Sequence, residues 1–446
     1  MKPSRNCWIV WGCVWKCAEN FRTRPLIEYL RTVPDPRCGR AVKHDHAEVL
    51  LCLICGFLAG RCTIRRSLDW CRNHLEELRK YTPLRNGIAS PATACRILSG
   101  TDEELFRLAF MEWIGEIVST KDAHLAIDGK ALRAAASKVT GGKVPMILNV
   151  VETGTGLVAA QLPIAEKACE ITEIPKLLQL LNIQGSTITI DAIGTQTQIM
   201  EQILEQEGHF LLMVKKNQPQ SYEEIMKYME EMAADHEKGK KDQEYRPRYP
   251  ELQECYSELS SDEKNRERHE HRCCRTCTNP SLLTKTQEEW PFIKTVGQIL
   301  QVRVLMERDE RGDDVTPDWK DFLKRGSRRR PKPESGDNEQ SDIQKIGVIS
   351  DRELKPEEML DIRRAHWTVE NRLHHVLDDT FREDRSPAGK SRNNLALIRK
   401  YAYNILRLAM LSGTCSRRVM TEAMDAFCDD RSLMEKYVFN GIISLY

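Results

Sequence analysis

Three carboxylates in this 446-residue chain stand in settings that could do chemistry. Asp128 sits in His124-Leu-Ala-Ile-Asp-Gly-Lys130, Asp191 in Ile188-Thr-Ile-Asp-Ala-Ile-Gly194, and Glu370 in His366-Trp-Thr-Val-Glu-Asn-Arg372. Each aspartate ends a short apolar, β-branched run, and the glutamate lies on a helical stretch far downstream. A phosphodiester is an anion, and attack on it develops further negative charge. Two Mg²⁺ ions about 3.5–4 Å apart can activate the nucleophile and stabilise the leaving oxygen. Mg²⁺ takes hard oxygen ligands, so two strand-end aspartates and a helical glutamate are a suitable set. An Asp after a strand is also a common cap or turn residue. The residues around the trio must therefore carry the case for a nucleic-acid enzyme.

Composition bounds the setting. Lys and Arg number 67 and Asp and Glu 66, a formal net charge of +1, so any nucleic-acid surface must be local. The length suits several domains with a large core. Sixteen cysteines are scattered without paired spacing, which fits reduced thiols in a cytosolic compartment. His269, His271, Cys273, Cys274 and Cys277 crowd into one short segment with no distant second pair, so zinc is not expected there. The apolar start, Cys7 to Trp15, falls short of the ~20 residues that span a bilayer. No small-residue cleavage site follows it, so neither a membrane segment nor export is expected. Residues 1–20 read as an extension of the start with no fold assigned.

The elements that must position the carboxylates can be read from periodicity. Residues 21–120 are helical in pattern, with helices expected at Ala47–Ala59, Ser67–Lys80, from Pro91 behind a Ser90 cap, and at Glu104–Val118. At His124 the pattern changes. Leu125–Ile127, Pro145–Val151 and Leu157–Leu162 read as a meander joined by glycine turns. A helix from Thr172 to Leu181, a strand at Thr187–Ile190, a helix at about Thr195–Gln206, a strand at Phe210–Val214 and a helix at Pro219–Met232 follow. The order β-β-β-α-β-α-β-α predicts an α/β ribonuclease H-like mixed sheet, in which the first and fourth strands are neighbours. Residues 236–345 read as a β-rich insertion with a charged, proline-bearing loop. The expected organisation is a helical domain at 21–120, the sheet at 121–235, the insertion at 236–345, the remainder of the catalytic domain at 346–412 and a tail at 413–446. Helical periodicity returns from Pro356 to Thr380, with Glu370 bordering its buried stripe of Val369, Leu373, Val376 and Leu377.

The words around the carboxylates resemble a known family. Ala126-Ile-Asp-Gly-Lys-Ala-Leu-Arg133 looks like the first catalytic motif of the DDE transposases of bacterial insertion sequences, and more narrowly of their H-repeat-associated group. Glu166–Ile171 with Ile174–Leu178, Thr189–Gly194 with Gln196, Lys215–Pro219, and His366–His374 with Leu377, Asp378, Phe381, Glu383 and Asp384 resemble its later segments in order. Asp35-Pro-Arg37 with His44–Ala59 is similar to the group's N-terminal associated domain. The resemblance runs from about residue 21 to about residue 411. It implies that Asp128, Asp191 and Glu370 hold two Mg²⁺ ions, with Mn²⁺ as a substitute. It further implies nicking of DNA at the element's terminal inverted repeats and attack of the freed 3′-hydroxyls on target DNA. Weaker DNA-contacting roles fall to Lys130, Arg133, Lys215, Asn217, Gln218, Asn371, His374, Arg382, Arg385 and Arg392, for which surface salt bridging is an alternative.

Some positions depart from the family pattern: His375 stands where Trp is usual, Asp379 for Val, Cys169 for Asn and Thr195 for Cys. Arg363, His366 and Leu377 occupy spacings that hold Tyr, Arg and Lys elsewhere in the superfamily, which weakens any inference of hairpin-forming cleavage. Two other functions stay open: a catalytically defective DNA-binding or regulatory relic, and a ribonuclease H-like nuclease without strand transfer. Pairing of two DNA ends implies a homodimer in the synaptic complex. The expected location is the bacterial cytoplasm, at the nucleoid.

Overall fold

The computed structural model describes residues 21–39, 42–132, 144–165, 169–242, 244–265, 268–305, 307–308, 314–315, 342–385, 389–415 and 419–443. The longer N-terminal helices are, in chain order, α1 (Leu26–Arg31), α2 (His46–Leu58), α3 (Ile64–Asn73), α4 (Pro91–Gly100) and α5 (Glu103–Gly115). Strands β1 (His124–Ala131), β2 (Met146–Glu152) and β3 (Leu157–Ile164) follow, then α6 (Glu170–Gln179), β4 (Thr187–Ile190), α7 (Thr197–Glu205), β5 (His209–Val214) and α8 (Pro219–Lys241). The middle of the chain supplies β6 (Tyr256–Asn265), β7 (Arg268–Cys277), β8 (Thr295–Leu305) and β9 (Asp342–Ser350). Last come α9 (Pro356–His366), a π-helical turn (Val369–His374), α10 (His375–Asp379), α11 (Arg392–Leu411) and α12 (Met420–Asp429). This is a mixed α/β chain with a helical N-terminal region. None of its described helices is long and apolar enough to cross a membrane.

Two compact units divide it. The first draws on residues up to Thr187, 206–208 and from Ala365 onward. Its N-terminal helices start where a side chain can satisfy a free N–H: Asp45, Thr63, Ser90 and Asp102 each accept from the third helical residue. All thirteen residues of α2 are buried, as its apolar sequence demands. The helix expected at Ser67–Lys80 begins earlier, at Ile64, and is divided at His74, which leaves helical geometry, with a short helix resuming at Leu75–Leu78. Strands β1, β2 and β3 form the expected antiparallel meander in the order β3-β2-β1. Helix α11 is buried along most of its length: Tyr401 packs among Phe106, Phe110 and Trp113, and the Asn404 amide bonds both backbone groups of Val158 on β3. The segment read as a tail is built into this core through Met420, Ala423, Met424 and Phe427, spaced as one helix face.

The second unit comprises residues 188–205 and 209–364. Its strands lie in the order β4-β5-β9-β8-β7-β6. Helix α7 connects the neighbours β4 and β5, and the pairs from β5 outward are antiparallel. The insertion strands are longer than the short segments expected, and β9 crosses the expected boundary at 345. Cross-strand ion pairs line them, Glu270 with Arg303, Arg272 with Glu263 and Arg275 with Glu258, while Glu270 also pairs with Arg272 on its own strand and His271 hydrogen-bonds to Asp262 across the strands. Leu211, Met213, Ile299, Val348, Met359 and Leu360 form the core on one side. Most of the charged stretch 309–342 lies outside the described residues.

Candidate metal centre

Asp128 lies within β1, not at its end. Leu125, Ala126 and Ile127 are fully buried, and backbone pairing with β2 continues through Gly129, Lys130 and Ala131. The register sets Asp128 opposite Asn149, so both side chains leave the same face. Gly129 lets the Glu170 side chain pack close: a Cβ there would come within 2.3 Å of Glu170 Oε1 and that carboxylate would have to shift.

Glu370 and His374 lie four residues apart on the π-helical turn, whose apolar residues Val369 and Leu373 are buried. The helical stretch expected from Pro356 to Thr380 is present, and it takes a π-turn at the residues with candidate chemistry, where π-turns are frequent. His374 Nδ1 lies 2.9 Å from Glu370 Oε2 and 3.5 Å from Asp128 Oδ2. Ligand-capable atoms of Asp128, Glu370 and His374 all fall within 4.8 Å of one another. The hydrogen bond from His374 holds the Glu370 carboxyl below its usual range, against a smaller effect of burial and with help from the charge of Lys130. Two carboxylates and an imidazole at this separation fit a divalent cation.

Lys130, next but one to Asp128, points inward. Its ammonium is 5% exposed and meets Asp378 at 2.5 Å, Glu383 at 3.6 Å and Asp384 at 3.8 Å. Glu383 in turn lies 3.4 Å from Arg399, both buried, with buried Lys400 acting on its charge. Burial pushes the Lys400 ammonium down to about 8. This buried ionic cluster joins β1 to α10 and α11.

Asp191 lies in the second unit, at the first position past β4, where it starts a 3-10 turn over Ala192–Gly194. Lys215 Nζ is 2.7 Å from Asp191 Oδ1, and both side chains are more than 40% exposed. Asn217 donates to the Ala192 carbonyl at 3.0 Å and Gln218 to that of Thr195, so both brace the loop behind Asp191. Thr195 anchors it to the Met213 carbonyl on β5. Buried Arg363 is held down to about 10 by desolvation, with the Asp191 charge opposing.

Of the other candidates, Asn371, Arg382 and Arg385 are exposed and Arg392 is half-buried. Arg133 lies outside the described residues. In the His269–Cys277 segment, His271 hydrogen-bonds to Asp262, and burial pushes the thiols of Cys273, Cys274 and Cys277 up. Asn149 was not singled out by motif. Its signal is a lone amide in the apolar run Met146-Ile-Leu-Asn-Val-Val151.

Residues 119–405 match the family described as Transposase DDE domain, and residues 27–114 match the one described as DDE_Tnp_1-associated. The chain belongs to the Transposase DDE domain family. In this DDE chain the helices α1–α5 coincide with the associated region, and Asp128, Asp191 and Glu370 all fall inside the domain match. Among its relatives is the "H repeat-associated putative transposase YhhI" of Escherichia coli (strain K12), 27% identical over 90% of this chain and 95% of that one. An "Uncharacterized protein in dhlA 3'region" of Xanthobacter autotrophicus is 31% identical over 62% of this chain and 88% of that one. A piggyBac transposase synaptic complex with hairpin DNA aligns at a TM-score of 0.38 and 11% identity over 92% of this DDE chain and 76% of that one.

Proposed function

We propose that this DDE protein is the DNA transposase of a bacterial insertion sequence. It would cut the element at its terminal inverted repeats and join the 3′-hydroxyls to target DNA by two-metal phosphoryl transfer, on a ribonuclease H-like sheet. The observation that carries the reading is the convergence of Asp128 with Glu370 and His374 in a chain of the Transposase DDE domain family. Asp128, Asp191 and Glu370 would hold two Mg²⁺ ions, with Mn²⁺ as a substitute. Asp191 is assigned to this chemistry by its motif. When bound, such a pair lowers the pKa of water and offsets charge on the leaving oxygen.

The chain's own residues supply positioning. Hydrogen bonding within the turn aims Glu370 towards Asp128 through His374. Buried Lys130 is occupied by Asp378, Glu383 and Asp384, which supports a framework role for it, while exposed Asn371, Arg382 and Arg385 suit contact with DNA phosphates. Two DNA ends call for a homodimer in the synaptic complex, and the bacterial nucleoid is where such a protein would act.

The test is an assay of the full chain with end-containing DNA, target DNA and Mg²⁺. Cleavage and joining are expected, and both should fall by at least about a thousandfold in Asp128→Asn, Asp191→Asn and Glu370→Gln. Cleavage without joining would favour the nuclease reading. No turnover in the parent chain, with specific binding to end DNA retained, would favour the relic.

A further inference from the structure

His374 does more than hydrogen-bond to Glu370. Its ring is 5% exposed, so it is fixed by packing, unlike a surface histidine. Nδ1 faces both Asp128 Oδ2 at 3.5 Å and Glu370 Oε2 at 2.9 Å. Nε2 faces the Asn149 amide nitrogen at 3.4 Å. Asn149 is fully buried, and its Oδ1 has no hydrogen-bond partner among the described residues. A metal-ligating histidine bonds through one ring nitrogen and donates from the other to a fixed acceptor. Reversing the Asn149 amide would turn that oxygen towards Nε2–H while Nδ1 bonds the cation, at the cost of the hydrogen bond that Asn149 Nδ2 donates to the Ile147 carbonyl at 3.2 Å.

We infer that His374 is a direct nitrogen ligand of the metal at Asp128 and Glu370, with Asn149 as the residue that orients its ring. The inference rests on the metal-dependent reading above and adds a selectivity to it. Mg²⁺ prefers oxygen donors, whereas Mn²⁺ accepts imidazole more readily. The site therefore favours Mn²⁺ over Mg²⁺ by more than an all-carboxylate site would.

Pulsed electron paramagnetic resonance on the full chain with Mn²⁺ alone tests this. Wild type should show ¹⁴N coupling to bound Mn²⁺, replaced by ¹⁵N coupling when the protein carries ¹⁵N-histidine. His374→Asn, checked for folding by circular dichroism, should bind Mn²⁺ without that coupling and lose about tenfold or more of its Mn²⁺-over-Mg²⁺ preference. Asn149→Ala should keep the coupling and bind Mn²⁺ about tenfold more weakly. Mn²⁺ bound without histidine coupling in the wild type, yet lost in Asp128→Asn, would overturn the ligand assignment and leave the proposed function standing. Mn²⁺ binding indifferent to Asp128→Asn would overturn both. The labelled wild type gives its answer even if a variant fails to fold.

Discussion

Asp128 sits inside a paired strand, with buried Asn149, His374 and Lys130 around it, whereas Asp191 sits one residue past a strand with a half-exposed lysine as its partner. The two carboxylates belong to one motif set but are held by different means. Around Asp128, position comes from strand pairing and from an ionic cluster whose members reach in from β1, α10 and α11. Around Asp191, it comes from side-chain bonds to loop carbonyls by Asn217, Gln218 and Thr195. A site built on regular elements holds its geometry more tightly than one on a loop. The first carboxylate is thus preset. The second sits on a braced loop, where the Lys215 ammonium holds the oxygen that the proposed cation would take.

The difference predicts unequal responses to substitution. The largest should come from Glu383→Ala, which leaves Lys130, Arg399 and Lys400 buried with less countercharge. Removing one partner of a buried ion pair costs about 3–5 kcal/mol. Urea denaturation would read this, and a loss under about 1 kcal/mol would show that the cluster does not brace the Asp128 side.

A smaller effect should appear with pH. Lys400 has an ordinary value of 10.5 and is pushed to about 8 by burial. Between these values the unfolded chain binds more protons than the folded one, so this group makes stability rise with pH. The gain of wild type over Lys400→Met should grow across that window by up to about 1.4 kcal/mol per pH unit. Parallel curves for the two proteins from pH 8 to 10 would remove Lys400 from the account.

The smallest effect is expected on the Asp191 side. Lys215→Met breaks an exposed pair, and such pairs contribute about 0–1 kcal/mol, so its melting curve should nearly overlay the wild type. A loss as large as that of Glu383→Ala would erase the contrast between the two carboxylates.

Much of this was legible in local pattern. The five strands from His124 to Val214 and their intervening helices fall where alternation, glycine turns and apolar spacing put them. Asp128 was read as a strand end because the apolar run stops there, but Gly129-Lys-Ala131 continues the backbone pairing, which needs no apolar side chain. The break at Trp367 and the π-turn were not legible, since the stripe of Val369, Leu373 and Leu377 keeps helical spacing through them. Nor was the inward turn of Lys130, whose acidic partners lie about 250 residues away and leave no trace in its own neighbourhood. The place of α12 in the core could have been read from Met420, Ala423, Met424 and Phe427.

The proposed function assigns Asp128, Asp191 and Glu370 to one metal centre by their motifs. Iron-directed cleavage tests it without requiring turnover: Fe²⁺ replaces Mg²⁺ in the full chain, and ascorbate with peroxide generates hydroxyl radicals at the bound ion. The account predicts backbone cuts at all three segments, suppressed by excess Mg²⁺ and absent in Asp128→Asn. Cuts near Asp128 and Glu370 with none near Asp191, or cuts that Mg²⁺ does not suppress, would contradict it.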